Sequence, residues 1–531
     1  MRFYGLRLFR RSSYLAWAFL GNRIIGGGLM VLLLTLPTVS LAQEDNLENS
    51  NIAPQQSLAD QDLLQLPADP LALPKNLSQL EAGPVIAISL AEALALARTN
   101  NRQLEISEKQ LRQAQLGIRQ AEAAYLPNLY LGVNLNSAVF STNVIQQKFY
   151  DQLYGSVGLN YNQEQTFEVF GPQGITLYSL TPFNSPLNTL DTTLTLSYLV
   201  YGGGGRSGNL KASQEQLKIQ ALQVDLTLQN LNQQVRSAYY TIQQSQAQIK
   251  ISQDNLNNAQ VTLNDADALR QAGFATIADV LQAQVQVKNA EQQVVQAQGD
   301  LISAQSTLTQ LLSLTDGIVV TAADDLTLEA NWPYSLAESL QIAYDKRPEL
   351  QQQLAEREVA LAQRQVALAQ TRPQVQLSAQ TDINKILGSG SGFPEGADGD
   401  FWGGGYSLTA SMQWNFYDGG SAQSQADSAR VSEEIAVTQF ANFHNQIRQE
   451  VTQAYTSLQV SQENYKTAME ALDFARQSLV ANRTRFVAGV GTQLDVINAQ
   501  TNLNQAQLNL LRAMVSYNQA IANLRKGLGQ D

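Results

Sequence analysis

The chain has 531 residues, 44% of them hydrophobic and only 15% charged, and carries a formal net charge of −12. That acidity argues against a nucleic-acid-binding surface, and the lack of cysteine excludes disulfides, thiolate-held metals and thiol nucleophiles. A polar but weakly charged composition suits long bundled helices, or a wall wetted on one side.

The N-terminus reads as a targeting segment. Arg2, Arg7, Arg10, Arg11 and Arg23 make a basic start, Ile24 to Leu36 is uncharged and apolar, and Ser40-Leu41-Ala42 offers small residues for cleavage. About 13 apolar residues are fewer than the ~20 a spanning helix needs, so residues 1–42 are expected to be a cleaved signal peptide. A retained anchor is the alternative, and Arg10-Arg11 also hints at twin-arginine export. No cysteine follows the cleavage point, which excludes a lipoprotein anchor. Residues 43–87, punctuated by Pro54, Pro67, Pro70, Pro74 and Pro84, read as a periplasmic extension or linker.

The remainder repeats itself. Ser89-Leu90-Ala91-Glu92 returns as Ser335-Leu336-Ala337-Glu338, and Pro127 as Pro373, at one shift (335 − 89 = 246). Ala238-Tyr239 returns as Ala454-Tyr455, and Asp279-Val280 as Asp495-Val496, at another (495 − 279 = 216). The expected units are residues 88–316 and 335–531, joined by a connection over 317–334. Each reads helix, strand, loop, strand, long helix, turn, helix.

The first helix is expected over about Leu90–Leu126, and the long one over Gly205–Leu269, ~100 Å at 1.5 Å per residue. Ile277–Leu314 follows. A seven-residue beat runs through Val235, Ile242, Ile249, Leu256 and Leu263, and through Val280, Val287, Val294, Leu301 and Leu308. Ala283, Ala290, Ala297 and Ala304 lie three residues on, small enough for close helix approach. The second unit repeats the pattern with Val451, Leu458, Tyr465, Leu472 and Leu479, then Val496, Leu503, Leu510, Tyr517 and Leu524. Reversal near Gly273 and Gly489 makes each helix pair an antiparallel hairpin.

Four segments alternate with period two. Leu129, Leu131, Val133 and Leu135 interleave with asparagines and Tyr130; Leu194, Leu196, Tyr198 and Val200 with Thr193, Thr195 and Ser197. Val375, Leu377 and Ala379 alternate with Gln374, Gln376, Ser378 and Gln380. The fourth runs Tyr406, Leu408, Ala410, Met412, Trp414, Phe416 against Ser407, Thr409, Ser411, Gln413 and Asn415. Such strands fit a membrane barrel with lipid on one face and water on the other. The alternative is a soluble sheet covered by helices. Tyr201, Trp402, Tyr406, Trp414, Phe416 and Tyr417 are expected to form an aromatic girdle. Four strands cannot close a barrel, and open edges are not tolerated in lipid, so closure must come from several subunits.

Leu90-Ala91-Glu92-Ala93-Leu94-Ala95-Leu96-Ala97 with Asn100-Asn101, then Tyr125-Leu126-Pro127, and above all Gly489-Val490-Gly491-Thr492-Gln493-Leu494-Asp495-Val496, echoed by Gly273 to Val280, resemble the TolC-type outer-membrane efflux proteins. The resemblance covers about residues 88–528. It implies a fold that is mostly α with a small membrane β-barrel contribution, built as a homotrimer. It also implies partners: a periplasmic adaptor protein, an inner-membrane pump of the RND, ABC or MFS class, and outer-membrane lipid. By the same resemblance Asp279, Gln282, Asp495 and Asn498 map to the periplasmic entrance. Gly273, Phe274, Ala275 and Thr276, with Gly489, Val490, Gly491 and Thr492, map to adaptor-contact tips. Asn498 stands where the family carries a further acid, and Gly491 where some members carry arginine. For the two aspartates the alternative role is an ordinary helix N-terminal charge.

Other signals carry less. Gly203, Gly205 and Gly208 spell GxGxxG with Asp225 downstream, but the preceding strand is amphipathic and Asp225 lies within a long helix, against a dinucleotide site. His444 is the sole histidine, so neither metal ligation nor histidine acid–base catalysis is supported, and it reads as a polar helix-surface residue. Glu395, Asp398 and Asp400 sit in a glycine-rich loop that reads as mobile surface rather than a calcium site, and Ala138–Thr189 as a second outer loop. No cofactor or nucleic-acid partner is expected, nor an enzyme. The expected function is a passive outer-membrane duct for efflux or type I secretion; the alternative is a secreted coiled-coil or adhesin stalk.

Overall fold

The computed structural model describes residues 71, 73, 85–141, 167–171, 174–178, 184–387 and 401–530, all within one unit, Ser57–Asp531. The expected signal segment, nearly all of the Pro-rich stretch, and Glu395, Asp398 and Asp400 lie outside them.

In chain order, β1 (Val85–Ile88) leads into α1 (Leu90–Asn100) and α2 (Arg102–Ala123). Next come β2 (Asn128–Ser141), β3 (Phe167–Gly171), β4 (Gly174–Tyr178), β5 (Asn184–Gly202), α3 (Gly205–Gln271) and α4 (Ile277–Leu311). The second half runs β6 (Val319–Ala322), α5 (Leu336–Lys346), α6 (Pro348–Ala369), β7 (Gln374–Leu387), β8 (Phe401–Gln413), α7 (Ser421–Val487) and α8 (Gln493–Gly527). Both α3 and α7 are 67 residues long, about 100 Å each, and α4 and α8 are 35 each.

Several expectations need correction. The helix expected over Leu90–Leu126 is two helices, broken at Asn101, whose backbone turns extended (φ −65°, ψ 121°) and whose side chain caps α2 by accepting from Gln103 and Leu104 N. The second half breaks at Arg347 (φ −68°, ψ 121°), because Pro348 opens α6 and disfavours a helical residue before it. β1 takes the last residues of the expected linker and pairs in parallel with β6, inside the expected connection. Within the stretch expected as an outer loop, β2 continues to Ser141, β5 begins at Asn184, and β3 pairs with β4. The fourth strand stops at Gln413, which pairs with Gln374, the first residue after Pro373; β7 offers nothing beyond it, so Trp414 to Tyr417 leave the sheet.

β2, β5, β7 and β8 form one antiparallel sheet in that order. The register sorts side chains cleanly. Leu131, Leu194, Thr381 and Tyr406 lie across one face, as do Leu129, Leu196, Ala379 and Leu408; Gly132, Thr193, Asp382 and Gly405 lie across the other. The apolar face is bare in the protomer: Leu129 is 67% exposed and Leu408 81%. No helix among the described residues is long and apolar enough to cross a membrane.

The core lies between helices. Val235, Tyr239 and Ile242 of α3 meet Ala93, Ala97, Leu104, Leu308 and Val320, while Ile447 and Val451 of α7 meet Ala343, Leu350, Ile521 and Leu524. Val280, Ala283, Val287, Ala290, Val294, Ala297, Ala304 and Leu308 of α4 are all buried, so the alanine rungs sit in the hairpin seam. A strap over residues 323–334 ties α3 to α8: the Tyr239 hydroxyl donates to Asp324 Oδ2 (2.9 Å), Tyr240 to Glu329 Oε1 (2.7 Å), and Arg525 pairs with Glu329 (3.1 Å). Burial pushes the Tyr239 hydroxyl up to about 12.

The GxGxxG glycines serve the β5-to-α3 turn. Gly203 and Gly204 have φ of +64° and +96°, and a Cβ on Gly208 would come within 2.7 Å of Val366 Cγ2 on α6. His444, expected as a plain surface residue, stacks on Tyr344 with centroids 4.3 Å apart.

Candidate functional site: the hairpin tips and the aromatic sheet face

Both hairpins reverse by the same device. Gly273 (φ 83°) ends α3, with Phe274 N bonded to Leu269 O, and Gly489 (φ 75°) ends α7, with Val490 N bonded to Arg485 O. A left-handed residue at this place favours glycine. Three residues on, Thr276 and Thr492 cap the returning helices. Thr276 Oγ1 accepts from Asp279 N (3.3 Å), while Thr276 N and Oγ1 donate to Asp279 Oδ2 at 2.8 and 2.7 Å. Thr492 and Asp495 repeat this at 3.2, 3.0 and 2.8 Å. Spacing alone therefore writes the tip: glycine, then threonine at three, then aspartate at six.

These bonds carry an electrostatic consequence. The Thr276 hydroxyl and then its amide hold the Asp279 carboxyl below the usual carboxylate range. At Asp495 the Thr492 amide and hydroxyl do so, helped by the charge of Arg485. Both aspartates are thus helix caps and retained charges at once. Phe274 (83% exposed) and Val490 (70%) project from the tips as bare apolar surface. Gln282 and Asn498 are exposed on α4 and α8, away from the capping boxes.

The two tips touch through a residue outside the expected set. Gln493, first in α8 and buried, donates from Nε2 to the backbone oxygen of Asp279 (3.2 Å). Two turns further, Gln500 Nε2 donates to Thr262 Oγ1 on α3 (2.6 Å). A signal was present: Gln493 stands where the first repeat has Ile277 (493 − 216 = 277), a polar-for-apolar exchange at a helix start.

The aromatic residues divide. Tyr201 lies at the inner end of β5, beside a bulge. Trp414, Phe416 and Tyr417 follow β8 at that same end, with Trp414 Nε1 donating to Thr371 O (3.0 Å). Trp402 lies at the opposite end, its ring under Lys385 Nζ at 4.9 Å. Tyr406, expected at a strand end, sits mid-strand opposite Thr381.

The protomer is thus a four-stranded sheet with one mostly apolar face, borne on two helical hairpins whose longer arms run about 100 Å. The chain matches the solved outer membrane protein VceC of Vibrio cholerae with a TM-score of 0.64 at 19% identity, over 83% of this chain and 96% of that one. It matches CmeC of Campylobacter jejuni with a TM-score of 0.64 at 15% identity, over 91% and 94%. The model of the outer membrane efflux protein family matches residues 93–313 and 339–530, and the chain belongs to that family. Among curated relatives, the probable efflux pump outer membrane protein TtgC of Pseudomonas putida is 24% identical over 304 residues, 56% of this chain and 59% of its own length. The chain spans about 59% of the length of this curated relative. Members of the family are passive channels, not enzymes.

Proposed function

We propose that the chain is the outer-membrane exit duct of a tripartite efflux assembly, acting as a homotrimer. The observation that carries this is the sheet: among the described residues β2 and β8 are both unpaired edges, and one face is mostly apolar and largely exposed. Lipid forbids open edges, so three sheets side by side would close one barrel of 12 strands, four from each protomer. Below it, the bare apolar residues Leu281, Val285, Val295 and Ile302 of α4, and Val460, Phe474 and Val480 of α7, supply surface for neighbouring copies.

Asp279 and Asp495 would ring the narrow periplasmic entrance, where like carboxylates favour cations, with Gln282 and Asn498 beside them. The tips Gly273–Thr276 and Gly489–Thr492 would meet a periplasmic adaptor that bridges to an RND, ABC or MFS pump. Residues 1–42 would direct export, and 43–84 would extend into the periplasm. The curated relatives are efflux components, which favours small molecules as cargo; protein export is the competing outcome. Deleting the gene and assaying drug sensitivity beside secretion separates the two. Electron microscopy of detergent-purified protein should show a threefold hollow tube, and a water-soluble monomer without a lumen would refute the reading.

A further inference from the structure

The apolar face of the sheet carries one charge. Side chains on β7 alternate, so Val375, Leu377, Ala379, Thr381, Ile383 and Lys385 share that face, and Lys385 is the sole charged residue among those described on it. The sheet's nearby acids, Asp191 and Asp382, lie on the polar face, where Asp191 accepts from Asn136 Nδ2 (3.1 Å).

The lysine has a particular height. α2 enters β2, β5 leads into α3, α6 enters β7 and β8 leads into α7, all at one end of the sheet. Lys385 lies toward the other end, in a row with Leu135, Leu190 and Trp402. On β8, Met412 at the helix end and Trp402 in this row are ten residues apart (412 − 402). That is about 34 Å along a strand, and about 25 Å in height once the strand tilts as barrel strands do, the height of a barrel's apolar band. The row of Lys385 therefore falls at the far boundary of that band.

We infer that Lys385 and Trp402 form a docking site, one per protomer, for the phosphate of an anionic lipid headgroup in the outer leaflet. The inference rests on the reading of the sheet as a membrane wall and adds which lipid that wall selects, and where.

Three observations support it. Lys385 Nζ lies 4.9 Å from the centre of the Trp402 ring, and a cation–π contact fixes an ammonium in place without cancelling its charge. Trp402 is 65% exposed and Leu135 68%, so apolar surface for acyl chains adjoins the cation. The lysine's methylene stem can lie along such surface while its head stays at the boundary, where an indole is also at home. Finally, the whole chain is acidic, at −12, and repels anionic lipid in general. A single cation at headgroup height is then local recognition, not part of a basic coat.

The test uses the purified full-length protein in nanodiscs of phosphatidylcholine, alone or doped with phosphatidylglycerol. Lipid retained on release from the disc is counted by native mass spectrometry, and thermal unfolding is followed in parallel. Wild type should retain phosphatidylglycerol several-fold above its share of the disc, and should unfold at a higher temperature in the doped disc. Lys385→Met should abolish both differences while matching wild type in phosphatidylcholine alone. Lys385→Arg, which keeps the cation, should preserve both. Trp402→Leu removes the ring under the ammonium and should weaken retention, though less than Lys385→Met. Unchanged enrichment in Lys385→Met would overturn the site. So would an equal fall in unfolding temperature in both discs, which would make Lys385 a tie within the protein. Loss of enrichment on adding inorganic phosphate at constant ionic strength would overturn the lipid assignment in favour of a free anion. A wild-type protein that enters neither disc would instead overturn the membrane-wall reading beneath it.

Discussion

The side chains of Asn101 and Arg347 end on corresponding carbonyls. Asn101 Nδ2 donates to Leu311 O (2.8 Å) and Arg347 Nη1 to Gly527 O (3.4 Å), each tying a helix break to the end of its hairpin's returning helix. The chemistry differs, because Arg347 also binds Glu349 and Glu450 at 2.7 and 2.9 Å while only 6% of its side chain is exposed. Arg347→Met should leave the largely buried Glu349 without its ion pair, while Glu450, more exposed, keeps the Gln446 amide (2.8 Å), and should destabilise the protein by about 2 to 3 kcal/mol, whereas Asn101→Ala should cost about 1 to 2 kcal/mol as a lost cap and hydrogen bond. Denaturant unfolding of the purified protein ranks the two; equal losses would mean the ion pairs add nothing.

The capping boxes predict an acid limit. The carboxyls of Asp279 and Asp495 are lowered in the folded chain, so the stability they lend is complete above their ordinary range and fades as pH falls through the lower folded values. Cation preference should therefore persist from neutral pH to below the range in which ordinary aspartates take up protons. Thr276→Val with Thr492→Val removes the hydroxyl bonds while the two backbone amides still donate, so it should move the loss of preference part of the way to higher pH in a conductance titration, more at Asp279, where the hydroxyl leads, than at Asp495, where the amide does.

On the sheet, neighbours in sequence should behave oppositely. Leu408 pairs with Ala379 on the apolar face, and Ser407 with Gln380 on the polar face. Leu408→Lys should cost about 2 to 4 kcal/mol at mid-membrane and reduce the detergent-resistant oligomer recovered from outer membranes. Ser407→Lys should assemble normally and shift ion preference.

Gly208 tests how α3 meets α6. A Cβ there would lie 2.7 Å from Val366 Cγ2 and 2.9 Å from the Ala362 carbonyl. Gly208→Val should push the helices apart and cost roughly 1 to 3 kcal/mol of overpacking, read as a lower unfolding temperature. Gly299→Ala, with nothing within 4 Å of its Cβ, should be neutral or slightly stabilising.

Much of this was legible in the residues. Heptads with alanine rungs expose a hairpin seam because burial repeats at a fixed interval, and period-two strands expose a two-faced sheet. The helix breaks at Asn101 and Arg347 were hidden, since the amphipathic pattern continues through them and only the Pro348 neighbour or the Asn101 cap marks the stop. Strand ends depend on partners: nothing in Trp414 or Phe416 says that β7 has run out opposite Gln413. At the tips, the aspartate spacing was readable from the repeat and its engagement with the threonine three residues earlier follows from that local spacing, whereas the reach of Gln493 to the Asp279 backbone oxygen is long-range geometry that no local pattern encodes.

The bare rims of β2 and β8 make the fate of each chain depend on its companions. If the proposed trimer forms, and a damaged and an intact form are made in equal amounts, random assembly in threes would leave only about one tube in eight free of the damaged chain. A lesion at either rim should thus be dominant in the cell, silencing transport well beyond the fraction of molecules that carry it.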